Sequence, residues 1–221
     1  MKKLVIEKDD RPVEILCESD PVLEKLITTI GKIEISMRPD YFQSIVRSII
    51  GQLISVAAAD AIYNRLDHLL IHHITPDGII DTDIDQLRAV GLSMRKVDYL
   101  RDLAAKVKNR EIVFEKLHML DDKEVIKQLT SIKGIGKWTA EMFLIFSLER
   151  MNVLALDDIG IQRGAKWLYQ VDKTKRRSIL MEKASRWDPY CTIASCYLWE
   201  AVHLNYINNY DSVDEIIHSN D

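Results

Sequence analysis

Apolar residues recur along most of this chain at intervals of three and four, and that spacing restricts it to packed helices. Residues 41–50 carry Phe42, Ile45, Val46, Ile49 and Ile50 on one face. After Gly51 and Gln52 a second stripe runs through Leu53, Ala57, Ala58, Ala61, Ile62, Leu66 and Leu69. Helix-start signals punctuate the pattern. Thr75-Pro76-Asp77 supplies a capping hydroxyl, a proline for the first turn and an early acid. Ser93 caps a helix over 94–108, with Val97, Leu100, Leu103, Ala104 and Val107 inward. Further helices are expected near 21–30, 82–90 (closed by Gly91), 121–131, 138–150, 159–170 and 190–206. Strand signals are few and short, and the acidic end, 211–221, reads as a frayed tail. The expected fold is all-α: two helical lobes with a cleft between them, forming one functional unit. Lobe A takes about 1–36 with 150–221, and lobe B about 37–149.

Charge and cysteine content narrow the function. With 47% hydrophobic residues the chain can fill a core, yet no apolar run approaches the ~18 residues of a membrane span. The apolar stretch near the start, Leu4–Ile6, has only three residues, against the ~7–15 of a secretory signal core. A cytoplasmic protein is expected, nucleoid-associated in a prokaryote and without membrane contact. Cys17, Cys191 and Cys196 cannot all pair and lack metal-site spacing, which suits free thiols in a reducing compartment. A net charge of −4 argues against a nucleic-acid partner. The charge is uneven, however: residues 131–177 hold nine Lys or Arg against five Asp or Glu, a local +4.

That basic stretch opens with LTSIKGIGKWTAE, where Gly134 and Gly136 separate two helical segments. Glycines leave backbone N–H groups uncovered, and at a helix N-terminus those groups can hold a phosphate. Lys133 and Lys137 flank the turn and could neutralise a strand. Such contacts give affinity and register without sequence preference. By itself a GIG turn is more often a plain helix connection with solvated lysines. About twenty residues later, VLALDDIGIQRG puts Asp157 and Asp158 at a helix start. An acid there is commonly a cap. The same geometry also fixes a carboxylate where it can stabilise an oxocarbenium-like sugar. His68 and His72, four apart on an expected helix, could begin a metal site; with no cysteine or convincing acidic third ligand they read as surface histidines.

The hairpin stretch resembles the helix-hairpin-helix of the helix-hairpin-helix-GPD DNA glycosylase superfamily, L-x-x-[IL]-x-G-[IV]-G-x-x-T-A, through Leu129, Ile132, Gly134, Ile135, Gly136, Thr139 and Ala140. LRAVGLSMRKVDYL and WDPYCTIASCYLWE resemble further segments of the same family, and the likeness spans about 37–206. The alkylpurine branch, 3-methyladenine DNA glycosylase II, is the most similar in pattern.

The resemblance implies a monofunctional enzyme that hydrolyses the N-glycosidic bond of a damaged base in double-stranded DNA. Asp158 matches the catalytic carboxylate, leaving Asp157 as the better structural cap. Bifunctional members carry a lysine where this chain has Trp138, so no Schiff base can form there. Trp138, Met142 and Trp199 match base-pocket positions, and Gln52 and Leu53 match the plug and wedge that occupy the duplex gap. Lys133, Gly134, Ile135, Gly136, Lys137 and Thr139 would contact DNA. Carbonyls of Thr130, Ile132 and Ile135 match a site for a structural sodium or potassium ion; no other cofactor is required. The protein is expected to act as a monomer. Two departures stand out: Cys191 replaces a usual arginine, and Met142 a frequent aromatic. Two readings stay open beside this one: the same fold acting on oxidised, deaminated or mismatched bases, and a non-catalytic hairpin that only binds DNA.

Overall fold

The computed structural model describes residues 2–219, and its contacts divide the chain into two compact units, Met1–Met37 with Glu149–Asp221, and Arg38–Leu148. The first unit begins with strand β1 (Lys3–Ile6), helices α1 (Arg11–Ser19) and α2 (Pro21–Ile30), and strand β2 (Ile33–Ser36). The strands pair antiparallel, with Lys3 opposite Ser36 and Ile6 opposite Ile33. Asp20 ends α1 and caps α2, accepting from the amides of Val22 and Leu23. Its other oxygen accepts from the Tyr169 hydroxyl at 2.7 Å and the Trp187 indole at 3.2 Å. One buried carboxylate thereby ties two distant stretches of sequence together. Burial and the neighbouring Asp20 charge push the Tyr169 phenol far above its ordinary range.

The second unit holds α3 (Tyr41–Gly51), α4 (Val56–Leu69), α5 (Pro76–Asp81), α6 (Ile84–Ala89), α7 (Met94–Lys108), α8 (Asp122–Thr130) and α9 (Lys137–Phe146). The caps read from the sequence are made, with Thr75 accepting from Gly78 and Ser93 from Lys96; Asp121, expected inside its helix, is the cap of α8 and accepts from Glu124. Tyr41, Phe114 and Phe143 cluster in the core, with ring centroids 5.4–6.2 Å apart. The helix expected over 138–150 stops at Phe146, where Ser147 is buried and hydrogen-bonded to Ser44 at 2.8 Å.

The chain then returns to the first unit with α10 (Ile159–Leu168), α11 (Arg176–Trp187), α12 (Cys191–His203), α13 (Tyr206–Asn209) and α14 (Val213–Ser219). Among the described residues four helices, α1, α11, α13 and α14, lie outside the expected segments. In α1 and α11 few positions are fully buried, so their apolar stripes are thin. The expected frayed tail is corrected by α14, which buries Val213 and Ile216; Asn220 and Asp221 lie outside the described residues. Across the described residues the protein is helical apart from one two-stranded ribbon, in keeping with the all-α expectation. Among these residues no helix is long and apolar enough to cross a membrane.

Candidate active site and DNA-binding hairpin

The hairpin lies wholly within the second unit. After α8 ends at Thr130, the Ile132 amide donates to the Leu129 carbonyl and the Ile135 amide to the Ile132 carbonyl, both at 3.1 Å. The side chains of Ile132 and Ile135 are buried and anchor the turn, while Lys133, Gly134, Gly136, Lys137 and Trp138 are exposed. Gly134 has φ +80°, and a Cβ there would lie 2.1 Å from the ring of Tyr99 on α7. Backbone conformation and close packing therefore both demand glycine. Gly136 has ordinary extended angles and open space around it; it serves as the N-cap of α9. Thr139 has a buried side chain, so what it can offer a phosphate is its backbone amide.

Both hairpin lysines have acidic company. The Lys133 amide donates to Asp102 at 2.9 Å, with its ammonium 3.9 Å from the same carboxylate. Lys137 pairs with the buried Glu141 at 2.8 Å. What the turn offers an anion is a set of oriented amides at the start of α9 rather than unopposed positive charge.

The loop between α3 and α4 is fastened to this turn. The Gln52 side-chain amide donates to the Gly134 carbonyl at 2.7 Å, and the Lys96 ammonium donates to the Ile50 carbonyl at 2.7 Å. Partial burial and nearby Arg95 lower the Lys96 pKa. Leu53 follows with φ +60° and is 92% exposed; Ile54 and Val56 are exposed as well. Leu53 therefore leaves the apolar stripe that its sequence position also fitted. An apolar tip held out in water on a strained backbone is the form a duplex wedge requires.

The carboxylates occupy the first unit. Asp158 is the N-cap of α10: its Oδ1 accepts from the Ile161 amide at 2.8 Å and from the Trp199 indole N–H at 2.9 Å. Only 8% of Asp158 is exposed. Asp157, expected to be the cap, is instead exposed and pairs with Arg177 at 2.9 Å. The reason is the turn, in which the Asp158 amide bonds the Ala155 carbonyl and directs the second acid over the open end of α10. Gln162 braces the same turn by donating to the Leu156 carbonyl at 2.7 Å.

Trp199 reaches Asp158 because α10 and α12 pack closely. A Cβ on Gly164 would lie 2.6 Å from the Leu198 carbonyl, and one on Gly160 would lie 3.0 Å from the Trp199 ring. These glycines stand four apart on one helix face. The sequence reading missed them, although I-G-I-Q-R-G carried the signal, small residues at helical spacing. The Trp199 indole, at a position expected to line a base pocket, donates to the Asp158 carboxylate. In the other unit Trp138 and Met142 sit one turn apart on α9, with Trp138 49% exposed.

The model of the HhH-GPD superfamily of base excision DNA repair proteins matches residues 46–189, which contain both the hairpin and Asp158. The chain belongs to that superfamily. It is 35% identical over 166 residues to DNA-3-methyladenine glycosylase 1 of Schizosaccharomyces pombe, covering 74% of this chain and 73% of that one. The crystal structure of a Bacillus halodurans DNA-3-methyladenine glycosidase is similar with a TM-score of 0.89 and 36% identity, over 97% of this chain and 99% of that one. A Schizosaccharomyces pombe 3-methyladenine DNA glycosylase in complex with abasic DNA gives a TM-score of 0.75 at 31% identity, over 88% and 97%.

Proposed function

We propose that this protein is a monofunctional DNA N-glycosylase that hydrolyses the N-glycosidic bond of alkylated purines, of the 3-methyladenine type, in base excision repair. The observation that carries the reading is the Asp158 carboxylate, held at a helix N-terminus by the Ile161 amide and the Trp199 indole. The glycosidic C–N bond breaks with its electron pair leaving on the base, and the sugar becomes an oxocarbenium-like cation. Asp158 stabilises that cation and accepts a proton from the water that adds to it, general-base help worth roughly 10²–10⁴-fold. An alkylated purine already carries positive charge, so it departs neutral and needs no strong acid. The relatives named for 3-methyladenine support this substrate class.

The amides of 134–139 hold a phosphate of double-stranded DNA, and Leu53 wedges the gap left by the damaged nucleotide. Trp138, with Met142, offers the extruded base an aromatic and polarizable surface. With tryptophan at the position of the lyase lysine, the abasic product is left uncut. The Thr130, Ile132 and Ile135 carbonyls fit a sodium or potassium ion: all are neutral oxygens, and Ile132 keeps a second lone pair beyond its bond to the Ile135 amide. Such an ion would shield phosphate charge at the turn. The protein works as a monomer in the compartment that holds the DNA.

The test is incubation with methylated duplex DNA, chromatography of the released bases, and gel analysis of the strand. Release of 3-methyladenine with an intact abasic strand is expected. Dominant release of uracil or 8-oxoguanine overturns the substrate class. DNA binding with no release leaves only the hairpin-module reading standing.

A further inference from the structure

We infer that Asp67, His68 and His72 form a surface site for one divalent ion of the borderline transition class, such as Zn2+ or Ni2+. The sequence places the two histidines four apart, but α4 ends at Leu69, so His72 does not belong to the helix. Ile71 and His72 both adopt left-handed backbone angles, φ 54° and 57°. That turn folds the chain back, and the His72 amide donates to the Asp67 carbonyl at 2.8 Å. The imidazole follows: its Nδ1 lies 2.7 Å from Asp67 Oδ2, and its ring centroid lies 4.7 Å from that of His68. One ligating atom from each of the three residues lies within 4.8 Å of the others.

Around a tetrahedral zinc with bonds of ~2.0–2.1 Å, ligand atoms stand about 3.3 Å apart. Side-chain rotation that parts the hydrogen-bonded His72 and Asp67 slightly and draws His68 in would give that spacing, and the backbone turn is already made. The acidic third ligand, not evident in the sequence, is the residue beside His68, brought into reach only by the reversal after α4. Two imidazoles and one carboxylate favour zinc, nickel or copper over magnesium or calcium. Both histidines are exposed, so an ion there keeps positions for water or an outside ligand. The site is built from residues outside the glycosylase machinery and does not rest on the proposed activity.

The test is calorimetric titration of chelator-treated, dialysed protein with zinc chloride, with Cys17, the thiol open to reagent in the folded protein, first blocked with iodoacetamide. One site per chain in the micromolar range is expected at pH 7.5. His68→Gln and His72→Asn should each weaken binding by at least about tenfold, with circular dichroism unchanged. Asparagine is chosen at 72 because it tolerates left-handed angles. Absence of a site in the unmodified sequence, or a site whose affinity survives both substitutions, overturns the inference.

Discussion

Replacing Asp158 by Asn and by Ala separates helix capping from the catalytic task proposed for this side chain. Its Oδ1 closes the end of α10 through Ile161 and receives the Trp199 indole. Asparagine keeps an oxygen at that point and caps a helix as well as aspartate does, so Asp158→Asn should change stability by less than about 1 kcal/mol. Alanine removes the cap, costing about 1 kcal/mol, and deprives the Trp199 N–H of this acceptor, costing a further ~1–3 kcal/mol. In a chain of this size each kcal/mol shifts Tm by roughly 2–4 °C. The alanine variant should therefore melt about 4–16 °C lower, and the asparagine variant within about 4 °C of the wild type. Single-turnover release of base from methylated DNA should fall at least ~100-fold in both, because the negative charge is gone. Binding to abasic duplex, measured by fluorescence anisotropy, should persist in the asparagine variant. Base release by Asp158→Asn within about threefold of the wild type would refute the argument and leave the residue a helix cap.

Gly134→Ala should lose at least about 2 kcal/mol in denaturant unfolding, since it combines a left-handed backbone with a Cβ inside the Tyr99 ring; an unchanged midpoint would mean the turn is not packed as described. Leu53→Ala should leave Tm within about 1 °C, because the side chain is 92% exposed, while retention of damaged duplex weakens in gel-shift assays. Equal retention would remove Leu53 from the wedge role. Burial raises the thiols of Cys191 to about 11 and Cys196 to about 12, so at pH 8 only ~0.1% and ~0.01% is thiolate. A chromogenic disulfide reagent should then react with Cys17 alone in the native protein, itself slowed by burial and nearby Glu24, and with three thiols in guanidinium. Fast reaction of all three in the folded state would contradict the packing of α12.

Sequence reading alone located α2, α7 and the start of α10, because caps and apolar stripes act over three or four residues and are written locally. It also located the hairpin, since only glycine tolerates the backbone angles and the Tyr99 contact at Gly134. It misjudged which aspartate caps α10, as both acids suit that position chemically and the turn from Ala155 selects between them. It could not show that Leu53 leaves the core stripe, because its spacing matches the buried face of α4. The link from Trp199 to Asp158 spans forty-one residues and exists only because two glycines let α10 and α12 meet. The meeting of Asp67 with His72 likewise needs a left-handed reversal that no helical periodicity encodes. Local pattern determined which segments are helical and where an acid could sit at a helix end; helix packing and loop reversal decided what that acid, and the histidines, can touch.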